Sequence, residues 1–418
     1  MDPVTLPATN THHQHPPSMP PALLDGLTVL DFTRVLAGPY CTRLMADLGA
    51  RVIKVERPGE GDDTRGFYHQ LEAGRTDQST YFVRFNAGKE SVAIDLAHPD
   101  ARAVVLDLAR TADILIENFV PGVMARHGLD YAAIAAVKPD IVYCSISGYG
   151  QTGPLRNRAA FAHLVNAASG AMDLDRQGDP QARVAYLQSA DALAGVHAFG
   201  LVLAAVLRRG RTGAGAYLDV PMLQSLWGAE DIGIAAALNG APTIKGPRVG
   251  MVIHTIKGRQ IAAQFIGAGP TWERMLAAMG KDSPAHGERF ATPLGRREHW
   301  PALRQHICDW LDGFESVDAA VTALTAARIP CAPVLTIEEA MAHPHMAERE
   351  AFTTVAHPTA GTVRVTAAPF HVDAAPVPAR GPAPYRAGEN TRAVLAEALG
   401  YTAEHIEALL SSGAAAAP

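Results

Sequence analysis

The sequence predicts an α/β protein with a large domain built on a mainly parallel, doubly wound sheet and with a second, smaller domain. Short apolar strands alternate with helical segments from Leu27 to about Leu238, as they do in parallel sheets. The alternation then gives way to a hairpin and several helices, and strands return after Cys331. We therefore expect a large domain at 23–238 and 331–418 and a small domain at 239–330.

Length, composition and charge are those of an ordinary globular protein. The chain has 418 residues, of which 48% are hydrophobic and 19% charged, enough for two domains and a large core. A net charge of −6 without a basic block argues against nucleic acid or an anionic membrane as the main partner. The most apolar segment, Ala192–Leu207, is too short to predict a membrane span.

The cysteines and the N-terminus bear on the compartment and on metal binding. Four scattered cysteines without CxxC spacing favour a reducing cytoplasm: Cys41, Cys144, Cys308 and Cys331. The first 22 residues are rich in proline and lack an apolar signal core, so we expect a disordered tail. Its three histidines have neither a carboxylate nor a cysteine beside them, so we expect no metal site: His12, His13 and His15.

The chain begins with a β-α-β unit of the kind that builds parallel sheets. Leu27–Phe32 is an apolar strand, Gly38–Leu48 a helix and Arg51–Glu56 a second strand. The loop at 33–39 follows the first strand at its carboxyl end, where such sheets bind ligands. It lacks GxGxxG, so a dinucleotide site of the usual form is not supported. Arg57 follows the second strand, either as a solvated surface charge or as an anchor for a nucleotide phosphate.

The next segments continue the same alternation. Tyr81–Phe85 and Ser91–Leu96 frame a turn, and His98–Arg110 is an amphipathic helix. The strand Ala112–Glu117 ends at two candidate ligand contacts, Asn118 and Phe119. Proline and glycine then start a short helix that carries Arg126.

A glycine-rich loop and a lone histidine lie further along the chain. The strand Ile141–Ser147 runs into Gly148–Gly153, which is either a lid or a simple turn. Phe161–Met172 has a helical pattern and carries His163, which is more typical of a satisfied core residue than of a catalyst.

The most apolar helix follows, and Asp191 stands at its start. Ala192–Leu207 has no charged side chain and is apolar all round, so we expect it to be buried. The helix starts at Ser189 or Asp191, and Arg208, Arg209 and Gly210 close it. Asp191 is then either an N-cap that accepts hydrogen bonds from its own first turn or a nucleophile. A helix N-terminus would hold that carboxylate ionised in a pocket with little water.

The remaining segments complete the two domains. After the apolar helix we expect a strand and a helix: Gly213–Val220 and Met222–Leu238. The small domain has a hairpin and three helices: Ile253–Ile256, Gln260–Ile266, Thr271–Met279, Trp300–Leu311 and Val317–Arg328. The return to the large domain comprises three strands and two helices: Pro333–Ile337, Phe352–Val355, Thr362–Thr366, Asn390–Leu399 and Thr402–Leu410.

Several of these stretches together resemble the class III CoA-transferases of the CaiB/BaiF type, which include the formyl-CoA transferases. They occur in the family's order and span nearly the whole chain after the tail. The matching stretches include LDGLTVLDFTRVLAGPYCTRLMADLGARVIKVERPGEGD, ADILIENFVPGVMARHGL, PDIVYCSISGYGQTGP, ADALAGVHAFGLVLAAVLRRGRTGAGAYLDVPM and GENTRAVLAEALGY.

The resemblance implies a Rossmann-like large domain built from both chain ends, a smaller α+β domain and an interlocked homodimer. Asp191 stands where the family has the acidic residue that attacks the acyl-CoA thioester. The family's CoA contacts map onto eight positions: Val35, Leu36, Ala37, Arg57, Ile94, Asn118, Phe119 and Arg126. Arg57 and Arg126 suit the phosphate end of CoA. The glycine run of the oxalate-specific members is absent near Arg248–Met251, which disfavours oxalate as acceptor.

The resemblance implies that CoA moves from an acyl-CoA donor, succinyl-CoA or acetyl-CoA, to a small carboxylic acid. An aspartyl anhydride and an aspartyl thioester would be the intermediates, with CoA as substrate and no tightly bound cofactor, in a cytoplasmic enzyme. One alternative is an α-methylacyl-CoA racemase, but its histidine position holds Phe161 and its small-domain acid position falls in 267–270. A non-catalytic or NAD-binding Rossmann protein is the other alternative. Neither the donor nor the acceptor is identified by the sequence.

Overall fold

The computed structural model describes residues 22–230, 233–241, 248–266 and 270–418, and these divide into two compact units. The sheet unit comprises Ser189–Leu226, Phe352–Pro418 and the described part of Met1–Ala162, and the second unit comprises His163–Gln188 and the described part of Trp227–Ala351. The predicted tail and its histidines lie almost entirely outside the described residues.

The described residues form fourteen strands and eighteen helices. The strands are β1 (Thr28–Phe32), β2 (Arg51–Glu56), β3 (Lys89–Ile94), β4 (Ile114–Glu117), β5 (Val142–Ser147), β6 (Ala216–Pro221), β7 (Met251–Ile256), β8 (Arg259–Gln264), β9 (Cys331–Pro333), β10 (Phe352–His357), β11 (Gly361–Thr366), β12 (His371–Val372), β13 (Ala375–Pro376) and β14 (Ala415–Ala416). The helices are α1 (Ala37–Asp47), α2 (Thr80–Asn86), α3 (Ala101–Thr111), α4 (Val123–Arg126), α5 (Tyr131–Val137), α6 (Ala162–Ala168), α7 (Ala171–Asp175), α8 (Ser189–Thr212), α9 (Met222–Ala229), α10 (Gly233–Leu238), α11 (Thr271–Met279), α12 (Pro293–Glu298), α13 (Trp300–Leu311), α14 (Val317–Ala326), α15 (Ile337–Ala342), α16 (Pro344–Glu348), α17 (Thr391–Leu399) and α18 (Ala403–Ser412).

A seven-stranded sheet forms the centre of the sheet unit. Its strand order is β14-β3-β2-β1-β4-β5-β6, and every pair is parallel except β14 with β3. Strands β4 and β5 are buried along their whole length because helices cover both faces of the sheet. The predicted parallel sheet is confirmed, and β14 shows that the chain end contributes a strand to it.

The second unit contains its own antiparallel sheet, in the order β7-β8-β9, packed against α11, α13 and α14 around a separate apolar core. The units differ from the predicted domain boundaries in three places. One is the described part of residues 227–238, which belongs to the second unit and not to the large domain. Residues 163–188 belong to the second unit, and so do residues 331–351, because β9 pairs with β8 instead of joining the large sheet. The hydrophobic pattern of the sequence predicts a strand but does not identify the strand with which it pairs.

Three local predictions differ from the structure. Tyr81–Phe85, expected beside a turn, lies within α2, whose start is capped by the Ser79 hydroxyl accepting the Phe82 N–H at 2.9 Å. The helix expected at Phe161–Met172 is divided by Gly170, which has a left-handed φ of 87°. The helix expected at Met222–Leu238 is divided into α9 and α10.

Helix α8 begins at Ser189, one of the two predicted starts, but it runs on to Thr212 and Gly213 adopts the left-handed turn expected of Gly210. Its length and composition would suffice to cross a membrane, which corrects the expectation that no segment is long enough. A single such helix is weak evidence for a membrane span, because core helices of soluble proteins have the same properties.

The expectation that α8 is buried all round is also wrong for the chain described here. One face is buried, through Ala190, Ala194, Gly195, Ala198, Val202 and Ala205. It packs on α1 and on β5 and β6. Val196 and Leu207 are exposed on the opposite face, and Leu201 is exposed at the edge of the buried face.

Helices α1 and α8 approach each other most closely at Gly195. A β-carbon built there would lie 2.6 Å from the carbonyl oxygen of Ala37, which is backbone and cannot rotate away. Glycine is therefore required at this position of α8 for the two helices to keep this spacing.

We predict that Gly195→Ala lowers the free energy of unfolding by about 1–3 kcal/mol, because the added methyl group forces the helices apart. The matched control is Gly210→Ala on the same helix, where nothing lies within 4 Å of the added carbon. There alanine should stabilise the helix by about 0.5–1 kcal/mol. Urea unfolding of both variants measures the difference, and equal effects would contradict this packing.

Candidate functional site

The carboxyl ends of β1, β2, β3 and β4 border a cleft of about 330 Å³ in the sheet unit. Adjacent parallel strands end at the same edge of the sheet, where α/β proteins bind ligands. The cleft is bordered by both apolar and charged side chains. Of the eight predicted CoA contacts, three line it: Arg57, Ile94 and Phe119.

Two arginines border the cleft and share one carboxylate. The Arg57 guanidinium lies 2.6 Å from Asp63 and 3.3 Å from Glu60, and the Arg34 guanidinium lies 3.3 Å from Asp63. These pairs are solvent-exposed, and exposed ion pairs contribute little free energy. A phosphate group could therefore replace Asp63 as the partner of either guanidinium at small cost. The Arg34 guanidinium also lies 5.3 Å from the centroid of the Phe119 ring.

The other predicted contacts lie outside the cleft lining. Asn118 clamps the loop after β1, since its side-chain oxygen accepts the Arg34 N–H at 2.8 Å and its side-chain nitrogen donates to the Arg34 carbonyl at 2.7 Å. Arg126 ends α4 with an exposed side chain. The remaining three are consecutive residues at the start of α1: Val35, Leu36 and Ala37.

Asp191 lies in the first turn of α8, but its carboxylate does not cap that helix as expected. The backbone N–H groups of Ala37 and Ala162 face it and favour its ionised form. Ala37 is the first residue of α1, and Leu36 before it provides no side-chain cap. Asp191 therefore faces the N-terminus of a neighbouring helix, where free N–H groups and the helix dipole favour an anion.

Burial raises the pKa of the Asp191 carboxyl to about 6, although both amide hydrogen bonds act to lower it. Desolvation thus outweighs the two amides, which favour the ionised form. At pH 7 the group is still about nine-tenths ionised. The result is an anion more basic than an ordinary carboxylate.

An aromatic side chain lies near this carboxylate: Tyr81 of α2 is close enough to interact with it electrostatically. Burial and the Asp191 charge raise the pKa of Tyr81, so its hydroxyl stays protonated. Its ring lies 5.6 Å from Phe67 and 5.0 Å from Phe85, and Tyr40 of α1 contacts Phe85 at 6.0 Å, all between ring centroids. Tyr81 was not among the site residues predicted from the sequence, although Tyr81 and Phe85 form an i, i+4 aromatic pair after Ser79, which indicates a helix.

Two other predicted features have different surroundings. In the glycine loop at 148–153, the Gly150 N–H donates to Ser147 at 3.0 Å and the Gln151 N–H donates to Asp219 at 2.9 Å. These two amides are thus already engaged. His163 belongs to the second unit, where its Nε2 lies 3.0 Å from the Gln188 side chain.

Metal ligands and the racemase acid were also considered. Within the described ranges, no group of three or more histidine, cysteine, aspartate or glutamate side chains is arranged to hold a metal ion. Residues 267–269, where a racemase would carry its small-domain acid, lie outside the described residues.

Comparison with known proteins gives consistent matches along the chain. A family model described as CoA-transferase family III matches residues 24–391. The chain is 32% identical over 385 residues to succinate–glutarate CoA-transferase of Agrobacterium fabrum, covering 90% of this chain and 95% of that protein. It is 44% identical over 207 residues to acetyl-CoA:oxalate CoA-transferase of Acetobacter aceti, covering 49% and 52%. A solved CaiB/BaiF family protein from Brucella suis matches with a TM-score of 0.77 and 28% identity, covering 91% and 100%.

Proposed function

The chain belongs to CoA-transferase family III and is a CoA-transferase, and from this we propose that Asp191 carries the acyl group while CoA moves from succinyl-CoA to a small dicarboxylic acid. The observation that carries the proposal is the placement of Asp191: its carboxylate has a raised pKa and meets two backbone amides. Family membership removes the NAD-binding alternative.

The reaction would begin when an Asp191 oxygen attacks the thioester carbonyl carbon of the donor. The C–S bond breaks, giving a mixed anhydride and free CoA thiolate. The thiolate then attacks the Asp191 carbonyl carbon, which releases the donor acid and leaves an aspartyl thioester. The acceptor carboxylate attacks this thioester and frees the thiolate again, and the thiolate takes the new acyl group and restores Asp191.

The amides of Ala37 and Ala162 would assist both halves of this exchange. Each attack on the Asp191 carbonyl carbon places a negative charge on the oxygen that these N–H groups already contact. Donors fixed before the reaction stabilise such an oxyanion without reorganising. They replace the glycine loop at 148–153, two of whose amides are engaged, as the proposed oxyanion donors.

The aromatic side chains beside Asp191 supply a second requirement. Anhydrides and thioesters hydrolyse, so the exchange succeeds only where water is kept from the acyl carbon. Tyr81 lies near Asp191, and its ring packs with Phe85, which also contacts Tyr40. We infer that they protect the intermediates.

The donor and acceptor are proposed from relatives. The Agrobacterium protein, similar over 90% of this chain, is named for succinate and glutarate, whereas the match to the oxalate enzyme covers half of it. A four- or five-carbon diacid is therefore our proposed acceptor. We also propose action in the cytoplasm, for which the four free thiols are the support: Cys41, Cys144, Cys308 and Cys331.

We infer further that a second copy of the chain covers the exposed apolar face of α8. Leu207 is 65% exposed, Val196 45% and Leu201 43%, all on α8. Such a stripe is typical of an association surface. A homodimer, expected from the family resemblance, would bury it.

We predict that Asp191→Asn abolishes CoA exchange by about 10⁴-fold or more, with CoA binding and folding retained. Wild-type enzyme incubated with acyl-CoA and then hydroxylamine should carry a hydroxamate on Asp191, detected by mass spectrometry.

The kcat/KM of the wild type should fall as pH drops through about 6, because protonation removes the nucleophile. Unchanged turnover in the variant, or a label elsewhere, would remove Asp191 from this role.

A panel of acids with succinyl-CoA or acetyl-CoA as donor, analysed by the mass of the new thioester, tests the substrate proposal. We expect glutarate and similar diacids with succinyl-CoA to exceed oxalate by at least about tenfold in kcat/KM. Preference for oxalate with acetyl-CoA would contradict it.

The same assay with a branched acyl-CoA in deuterated water should leave the α-carbon unlabelled, and rapid labelling would favour the racemase alternative.

The oligomer prediction is tested by Leu201→Lys combined with Leu207→Lys, which places two charges on the exposed face of α8. We expect light scattering to show a dimer for the wild type and a smaller species for the variant, because a buried ammonium without a partner is costly. Leu23→Lys, at a residue 65% exposed before β1, is the control. A wild-type monomer would contradict the inference.

A further inference from the structure

The loop between β1 and α1 holds a strained residue. Val35 has a φ of 68°, in the left-handed region that a β-branched side chain strongly disfavours. Such a conformation persists only where the surrounding structure imposes it. Two residues later comes Ala37, whose N–H contacts Asp191. The strained turn therefore determines where that amide points.

A buried ion pair contacts this loop at two residues, Thr33 and Val35. The Lys54 ammonium lies 2.9 Å from the Asp62 carboxylate, and both side chains are at most 1% exposed. Lys54 also donates to the Thr33 carbonyl at 2.7 Å. Asp62 accepts the Val35 N–H at 3.4 Å and the Thr64 N–H at 2.9 Å.

A second buried pair holds the sequence on either side of the loop. The Lys89 ammonium lies 3.1 Å from Asp31 and donates to the Pro39 carbonyl at 3.2 Å. Asp31 in turn accepts the Thr33 N–H at 2.9 Å. The loop is thus anchored before and after Val35, and Lys54 with Asp62 act on the strained turn itself.

We propose that the buried Lys54–Asp62 ion pair is a positioning device for Asp191: it holds Thr33 and Val35 so that the Ala37 N–H is directed at the carboxylate. The inference rests on the proposed role of Asp191 and adds two residues to it. Buried ion pairs often add little net stability compared with apolar residues of similar size. A positioning role gives this pair a function that stability alone does not.

The proposal makes a prediction about the ionisation of Asp191. A hydrogen bond to the charged form lowers the pKa of a carboxyl, so losing the Ala37 N–H should raise it. Among the described groups, the Ala37 and Ala162 amides act on the ionisation of Asp191. The groups that act on its neighbour Tyr81 are Asp191, Asp62, Arg84 and Tyr68.

The test is the double variant Lys54→Met with Asp62→Ala. It removes one positive and one negative charge together, so no orphan charge is buried and the direct electrostatic effects on Asp191 oppose each other. We expect the acid limb of the kcat profile to move up by about one pH unit and kcat at pH 6 to fall about fivefold or more. The ¹³C resonance of the Asp191 carboxyl, assigned with Asp191→Asn, should titrate at a correspondingly higher pH.

The matched control removes another buried ion pair from α1, Arg43 with Asp47, by Arg43→Met with Asp47→Ala. This pair joins atoms 2.8 Å apart and is at most 4% exposed, but it makes no contact with the loop. We expect it to cost stability without moving the Asp191 titration. Equal shifts in both double variants would show that general loosening, not positioning, is responsible.

Adding Val35→Gly to the Lys54→Met and Asp62→Ala variant tests the strained turn, because glycine adopts a positive φ without cost. We expect the titration of Asp191 to move back toward the wild-type value. An unchanged titration in the double variant, or no recovery with glycine, would overturn the proposal. If hydroxylamine labels Asp191 in the wild type while either of these results is obtained, the positioning inference fails and the proposed nucleophile stands.

Discussion

The approach of the Asp191 carboxylate to the first amide of α1 is the interaction on which the arrangement of the site depends. Helix α1 follows the central strand β1, and its N-terminus has no cap from its own sequence. A carboxylate from α8 faces that N-terminus, where the two helices pack together. This interaction therefore places the proposed nucleophile among N–H donors.

Burial gives this contact its chemical character. The amides favour the anion, yet desolvation raises the pKa of Asp191 to about 6. A carboxylate that is ionised at neutral pH and still more basic than usual suits an exchange in which it must both attack and leave. The aromatic side chains packed with Tyr81, which lies near this carboxylate, would also limit hydrolysis of the intermediates.

Helix α8 serves two purposes through two faces. Small residues on its buried face allow α1 to approach, and Gly195 permits a distance that a methyl group would prevent. Large apolar residues outside that face or at its edge remain exposed in the single chain, at Val196, Leu201 and Leu207. The same helix thus joins the proposed site to a surface suited to a second copy.

Sequence by itself determined the parallel sheet, most strand and helix positions, the family and Asp191 as the residue of interest. These follow from local periodicity and from motifs that are continuous along the chain. Tertiary structure decided that Asp191 faces the N-terminus of α1, that β9 pairs with β8, that Tyr81 lies near the carboxylate and that only one face of α8 is buried. Each of these depends on contacts between residues distant in sequence, for which a periodic pattern specifies the need for a partner but not its identity.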